Sequence, residues 1–169
     1  SHPSQPLVIA SLKGLLGAVL GDSINFVNAS LEAKARGIRV LEVKDEASRD
    51  YAGGSLQLIS RGDQGSRSVT GAVFADGELR ITSIDEFPVN VTPSSHMLFT
   101  RHRDMPGIIG QLGSMLGEHN VNIAAMQVGR KIVRGDAVMV LSIGDPIPAD
   151  LLQTITDIEG IQEAHPVSL

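Results

Sequence analysis

The sequence predicts an α+β protein of two domains, and a few observations support this prediction. Apolar residues recur at helical spacing up to about residue 36 and then alternate with a period of two. Asp76 and Gly77, between two alternating segments, indicate an antiparallel hairpin. From residue 97 onward the pattern predicts strand, helix, strand, strand, helix, strand. Polar, turn-rich residues separate the two parts, so we expect domains at 1–94 and 95–169.

Composition excludes several classes of function. Of the 169 residues, 42% are apolar and 20% are charged, which predicts a packed core. The net charge of −5 is shared by both domains, so neither has the basic excess that nucleic-acid binding requires. The chain has no cysteine, which excludes disulfides and thiolate chemistry. We expect no apolar run long enough to span a bilayer and no signal peptide, hence a cytoplasmic protein without a membrane partner.

The first domain is predicted to contain two helices followed by an antiparallel sheet. Asp22 is the expected N-cap of the second helix, and Gly37 is expected to end it. The apolar faces of the two helices are predicted to be Val8, Leu12, Leu15, Leu16 and Val19, then Ile24, Val27, Leu31 and Ala35. Alternating residues predict strands at 38–43, 55–60, 68–74, 78–84 and 87–91.

The second domain is predicted to have the ferredoxin-like βαββαβ order, an antiparallel sheet with both helices on one face. Its helices are expected at about residues 105–119 and between Pro148 and Gly160. Its strands are predicted at 97–102, 122–132, 135–143 and 161–167.

The polar residues most suited to chemistry lie around the first helix of this domain. Asp104, two residues before Pro106, is either a simple N-cap or a ligand group that accepts from an ammonium, while backbone N–H groups near Gly107 receive a carboxylate. We expect Asn122, at the start of the next strand, to lie beside Asp104. His102 is expected on the same side of its strand as position 104. A free amino acid carries both complementary groups.

Catalytic and cofactor sites are not supported by the sequence. The helix has a glycine stripe, which predicts a close approach to the sheet or to a partner helix and does not match dinucleotide-binding spacing. The stripe consists of Gly107, Gly110, Gly113 and Gly117. The five histidines show no metal-ligand spacing, and no serine lies in a nucleophile elbow. The pattern therefore favours a binding module, with no catalytic residue and no metal.

Two stretches resemble known families. Residues 101–110 (RHRDMPGIIG) and 117–124 (GEHNVNIA) resemble an ACT domain, a small-molecule-sensing βαββαβ module. Residues 11–16 (SLKGLL), 25–29 (NFVNA) and 33–38 (AKARGI) resemble the intervening domain of long-form bacterial D-3-phosphoglycerate dehydrogenases. Together the matches extend over nearly the whole chain, and they imply a regulatory piece of such an enzyme whose intervening domain lacks its first strand.

The resemblance implies a ligand, an assembly and a cofactor. The parent enzyme is an NAD-dependent oxidoreductase of L-serine biosynthesis, and serine inhibits it at the interface of paired ACT domains. This implies a homo-oligomer, no catalytic or NAD-binding domain in this chain, and serine contacts by His102, Asp104 and Asn122. Backbone groups near Met105, Gly107, Ile108 and Ile123 would complete the site.

Two further possibilities remain open at this stage. Some relatives have an anion site in the intervening domain, for which Arg80 is the candidate here. The alternative to a serine sensor is a structural oligomerisation module that pairs without a ligand, since the glycine-striped helix suits that role equally well.

Overall fold

A computed structural model of the protein describes residues 4–44, 54–63 and 65–169. The chain divides into two compact units, Ser1–Ala47 and Ser48–Leu169. The helices within the described ranges are α1 (Gln5–Leu20), α2 (Ala29–Ala35), α3 (Ile108–Glu118) and α4 (Ala149–Thr156), with a 3₁₀ turn at Gly21–Ser23. The strands there are β1 (Ser55–Gly62), β2 (Gly65–Val73), β3 (Leu79–Ile84), β4 (Phe87–Val91), β5 (His96–Arg103), β6 (Ile123–Arg130), β7 (Asp136–Ile143) and β8 (Ile161–Ser168).

The first unit has a small aliphatic core. Leu12 and Leu16 of α1, both on the predicted face, pack with Ile24, Ala29 and Ala33. Ile24 and the half-buried Val8, which packs against this core, also lie on the predicted faces. The prediction is wrong for the remaining residues, because the helices are short and their small contact is made by alanine. The side chains that remain largely exposed are Leu15, Val19, Val27 and Leu31.

The start of α2 differs from the prediction. Asp22 lies in the 3₁₀ turn, and a pair of asparagines precedes the helix instead. The Asn25 carboxamide oxygen accepts from the backbone of Val27 (2.9 Å) and Asn28 (3.1 Å), and the Asn28 oxygen accepts from the Asn25 amide (2.8 Å). Such local side-chain bonds hold a turn and delay the helix. The predicted end at Gly37 agrees with its φ of 71°.

The predicted strand at 38–43 is wrong. Residues 38–44 form no regular structure, and their side chains do not alternate in burial: Ile38 is half-buried and the others are exposed. Alternation produces a strand only where a neighbouring strand satisfies the backbone N–H and C=O groups. The sheets that the structure describes contain β1–β4 and β5–β8, so this segment pairs with neither.

One helical segment, Gln5–Ser23, is long and apolar enough to cross a membrane by length and composition. We expected no apolar segment long enough to span a bilayer, and by length and mean hydropathy that expectation is wrong. Lys13 and the glycines interrupt the segment, but they do not make it polar on average. A single such helix near the N-terminus is weak evidence, since core helices and signal sequences have the same composition.

The second unit contains both sheets. The first is an antiparallel meander with the order β1-β2-β3-β4, as predicted. Its β2–β3 connection contains the predicted Asp76 and Gly77, and Gly77 has a φ of 83°. The Gly77 amide donates to the Phe74 carbonyl at 2.9 Å, which closes the turn.

The second sheet has the order β6-β7-β5-β8, the ferredoxin-like arrangement expected from the sequence. Helices α3 and α4 pack on one face through an apolar core. That core includes Leu98, Leu112, Leu116, Met139, Leu141, Leu151 and Ile155, all nearly inaccessible to solvent.

The meander covers the other face of this sheet. Met97 and Val140 pack with Val91 of β4 in a separate apolar cluster. Strand β4 comes so close to β6 that a β-carbon at Gly129 would overlap the Pro88 carbonyl oxygen and lie 2.9 Å from the Val89 side chain. The meander and the βαββαβ sheet thus pack against each other through one apolar layer. The domain boundary at residues 94 and 95 stays a prediction.

Candidate functional site

Asp104 is the centre of a polar cluster just beyond the end of β5. Its carboxylate oxygen Oδ2 accepts from the Arg130 guanidinium at 3.1 Å and from the Arg134 backbone amide at 3.0 Å. Its own amide donates to the Gly135 carbonyl at 2.7 Å. These contacts lower the pKa of Asp104, chiefly through the Arg134 amide and then through the Arg130 side chain. The carboxylate is therefore held ionised near the loop that follows β6.

The helix that follows starts later than expected. Gly107, with a left-handed φ of 93°, is the N-cap of α3, and no side chain caps the helix. The predicted capping role of Asp104 is thus wrong, because its carboxylate bonds to the β6–β7 connection instead. The first-turn N–H groups of α3 therefore remain able to donate hydrogen bonds to an anion.

The loop before α3 is held against the α4–β8 turn. Gly160 has a φ of 92°, and a β-carbon there would lie 2.7 Å from the Met105 sulfur and 3.4 Å from the Ile108 side chain. The Arg103 amide donates to the Gly160 carbonyl at 2.8 Å. This packing fixes the position of the α3 start relative to the sheet.

His102 is buried in the sheet beneath this loop, with only 1% of its surface exposed. Its Nδ1 lies 3.4 Å from the hydroxyl of Thr100, which is also buried. Burial lowers the pKa of His102, and the charge of Asp104 opposes this effect. A neutral imidazole that is oriented by Thr100 is the form that the fold favours.

This burial predicts a pH dependence of stability. The folded state binds the His102 proton less readily than the unfolded chain, whose histidine pKa is about 6.5. Stability from this group is therefore complete above about pH 6.5 and falls as the pH drops below that value, by at most about 1.4 kcal/mol per pH unit. Urea unfolding at about pH 5.5 and about pH 7.5, roughly one unit either side of the unfolded histidine pKa, measures the difference. His102→Asn is expected to reduce it.

An exposed histidine provides the matched control for this measurement. His119→Asn is expected to leave the pH difference as it is in the unmodified protein. An equal reduction in both variants would contradict the role of burial at His102.

Asn122 does not lie beside Asp104 within one chain, and that prediction is wrong. Strands β5 and β6 both run antiparallel to β7, so they start at the same edge of the sheet. Ile123 pairs with Ile143 at one edge, whereas Arg103 pairs with Asp136 at the other. At about 3.3 Å per residue, the sheet length of roughly 20 Å separates Asn122 from Asp104.

The glycine stripe of α3 does not approach the sheet. No atom of the described residues, apart from adjacent residues and the helix's own backbone, would lie within 4 Å of a β-carbon added at Gly107, Gly110, Gly113 or Gly117. The close approach to the sheet predicted from these residues is wrong, because Leu112 and Leu116 make that contact. Approach to a partner helix stays a prediction.

Arg80, the candidate for an anion site, is engaged by two carboxylates. Its Nη2 donates to Asp76 at 2.7 Å and to Glu78 at 2.8 Å, and its guanidinium lies 4.7 Å from the Phe74 ring centroid. Both acidic partners are exposed hairpin residues. This arrangement leaves Arg80 without spare positive charge for a ligand.

Sequence reasoning missed Arg130 and Arg134 as neighbours of Asp104. They lie 26 and 30 residues further along the chain, and no local motif connects them to Asp104. The available signal was topological: parallel β5 and β6 end at the same edge of the sheet, so residues that follow both strands lie close together.

The fold defines a class, the ferredoxin-like βαββαβ domains, here joined to an antiparallel meander. Comparison with protein families agrees with this class. Residues 1–85 match the D-3-phosphoglycerate dehydrogenase intervening domain, and residues 96–160 match the ACT domain. The chain therefore belongs to the D-3-phosphoglycerate dehydrogenase intervening-domain family and contains an ACT domain.

Curated relatives extend this result. A D-3-phosphoglycerate dehydrogenase of Synechocystis is 60% identical over 98% of this chain. Those of Methanocaldococcus jannaschii and Bacillus subtilis are 34% and 32% identical, each over 95% of the chain. The chain spans 30% of the length of each of these relatives.

Proposed function

We propose that this chain is the regulatory part of a D-3-phosphoglycerate dehydrogenase and that it binds L-serine between two paired ACT domains. Asp104 carries the proposal, because its carboxylate is held ionised in the loop that joins β5 to α3. Serine presents an ammonium to the carboxylate and a carboxylate to the helix N–H groups, so both charges of the ligand find partners.

A second copy of the chain is needed to complete the site. Strand β6 is the outer strand of its sheet, and in a two-fold pair that joins the sheets the two β6 strands run antiparallel. The start of one strand then lies beside the end of the other. Asn122 of the partner subunit would thereby approach Arg130, whose guanidinium contacts Asp104 at 3.1 Å.

The remaining polar groups would orient the ligand. The buried, neutral imidazole of His102, two residues before Asp104, would hold the Asp104 loop in position. Backbone groups near Met105, Gly107 and Ile108 would receive the serine carboxylate, and those near Ile123 would contribute from the partner. The small cleft of about 250 Å³ beside Asn122 offers space for a ligand of this size.

In the whole enzyme, this chain would regulate a reaction that other domains catalyse. The relatives' name implies oxidation of 3-phosphoglycerate, and we propose that NAD and substrate bind to domains outside this chain. Serine, the end product of the pathway, would then inhibit by favouring one arrangement of the paired domains. A cytoplasmic location accompanies this proposal and fits the absence of cysteine.

Calorimetric titration of the dimeric chain with L-serine tests the proposal. We expect saturable heat with one serine per Asp104 site, and little or none with D-serine, whose side chain would occupy a different position. Absence of heat at millimolar L-serine in a sample shown to be dimeric would rule out the site.

The second candidate is a structural module that pairs without a ligand. The open surface at the α3 glycines favours it, since a helix with a small-residue stripe admits another helix at close range. Equilibrium sedimentation with and without serine separates the two: a dimerisation constant that no amino acid changes would favour the structural module.

A further inference from the structure

The positive charge of residues 97–169 is concentrated at one end of the βαββαβ sheet. These residues contain five lysine and arginine residues, and all of them lie in the last residues of β5 or β6 or shortly after β6. They are Arg101, Arg103, Arg130, Lys131 and Arg134. This occurs in a chain whose net charge is −5, so the local excess is contrary to the overall balance.

Some of these cations are already neutralised. Arg101 pairs with Asp136 at 3.3 Å, Arg130 with Asp104 at 3.1 Å and Lys131 with Glu86 at 2.8 Å.

The other two guanidinium groups, those of Arg103 and Arg134, have no ion-pair partner among the residues that the structure describes. Both guanidinium groups are thus free of a direct ion pair, although the charge of Arg103 acts on the nearby Asp136 carboxylate.

Both free arginines line the same cleft. It has a volume of about 500 Å³ and lies between β4 and the β6–β7 connection. Its other lining residues are Phe87, Lys131, Ile132, Val133, Gly135 and Asp136. Asp136 also lines the cleft. Its carboxylate accepts from Arg101 at 3.3 Å and from Gln162 at 3.2 Å, and the charge of Arg103 also helps to lower its pKa.

The backbone beside the cleft is held in a fixed conformation. Arg134 has a left-handed φ of 62°, which is uncommon for a residue other than glycine. Its amide donates to Asp104 at 3.0 Å, and the Gly135 amide donates to the Ile132 carbonyl at 3.2 Å. The backbone of Arg134 is therefore anchored while its guanidinium remains available.

Apolar side chains form part of the cleft wall. Ile132 and Val133 are 71% and 70% exposed, so they offer apolar surface beside the two arginines. Phe87 is buried and has the Lys131 ammonium 5.2 Å from its ring centroid. A ligand with a carbon skeleton would cover these side chains, whereas a bare inorganic ion would not.

We propose that this cleft binds a small organic dianion, a phosphate monoester or a dicarboxylate, through the guanidinium groups of Arg103 and Arg134. Guanidinium groups bind carboxylates and phosphates in bidentate geometry, and two of them match two negative charges. The site is separate from Arg80, whose charge is met by Asp76 and Glu78. It also does not require serine or a second copy of the chain.

NMR titration of the ¹⁵N-labelled full chain without serine tests the site. Phenyl phosphate and succinate are the two dianion probes, with inorganic phosphate as the ion without a carbon skeleton. We expect saturable shifts of the Arg134 and Gly135 amides with at least one organic probe. Arg103→Gln and Arg134→Gln should each weaken that binding at least about tenfold, because each removes a charge-assisted contact.

Arg61→Gln is the matched control, because it removes one exposed cation from β1. It should leave the affinity within about twofold, as expected for a screened distant charge. Since the side chains of Arg103 and Arg134 have no partners, thermal melts of both variants should match the unmodified chain.

Binding of phenyl phosphate alone or of succinate alone supports the site and identifies which dianion it takes. The proposal is overturned if neither organic probe shifts these amides at millimolar concentration, if Arg61→Gln weakens binding as much as Arg134→Gln, or if inorganic phosphate binds as tightly as the organic probes.

Discussion

Replacement of Asp104 by alanine is expected to weaken L-serine binding by roughly 10- to 100-fold, the equivalent of about 1.5–3 kcal/mol for a hydrogen bond to a charged group. The carboxylate is ionised at neutral pH, since the Arg134 amide and the Arg130 guanidinium lower its pKa. Without it the serine ammonium has no anionic partner. Calorimetry on the dimeric variant measures the loss.

Two further variants separate ligand binding from local structure. Asp104→Asn keeps an oxygen for the Arg134 amide but removes the charge, so it should fold normally and still bind serine weakly. Asp63→Ala removes an exposed carboxylate from the β1–β2 turn, outside the βαββαβ sheet, and should bind serine unchanged. Normal serine binding by Asp104→Ala would contradict the assignment.

Replacement of Gly129 by alanine is expected to destabilise the second unit by about 1–3 kcal/mol, as overpacking does in other cores. The added methyl group would overlap the Pro88 carbonyl oxygen and lie 3.2 Å from the Val138 side chain. Backbone cannot rotate away as a flexible side chain can, so β4 must shift. Urea denaturation measures the change in the free energy of unfolding.

Gly113→Ala is the matched substitution in a helix. A β-carbon at Gly113 has open space within 4 Å, so the gain in helix propensity should stabilise the monomer by up to about 1 kcal/mol. Equal effects of the two substitutions would show that β4 does not pack against Gly129 as described.

Much of the second unit was predictable from sequence because its signals are local. Residue alternation, the turn at Asp76 and Gly77 and the helical spacing of Leu112 and Leu116 depend on neighbours within a few positions. These patterns are the same whether the chain is folded or not, so the βαββαβ order and the meander were predicted correctly.

The first unit was less predictable. Its apolar residues outnumber the positions that its small core can bury, so periodicity alone could not show that Ala29 and Ala33 face inward while Val27 and Leu31 do not. Likewise, the alternating residues 38–43 resemble a strand, but a strand depends on a partner that local sequence does not specify.

By itself, the sequence determined the βαββαβ order, the antiparallel meander and the resemblance to an ACT domain, and it predicted a role for Asp104. Only the tertiary structure decided which residues meet there. Parallel β5 and β6 place Arg130 and Arg134 beside Asp104 and move Asn122 to the far edge of the sheet. The reason is physical: spacing along a chain specifies local conformation, whereas contacts between distant residues depend on strand direction and register.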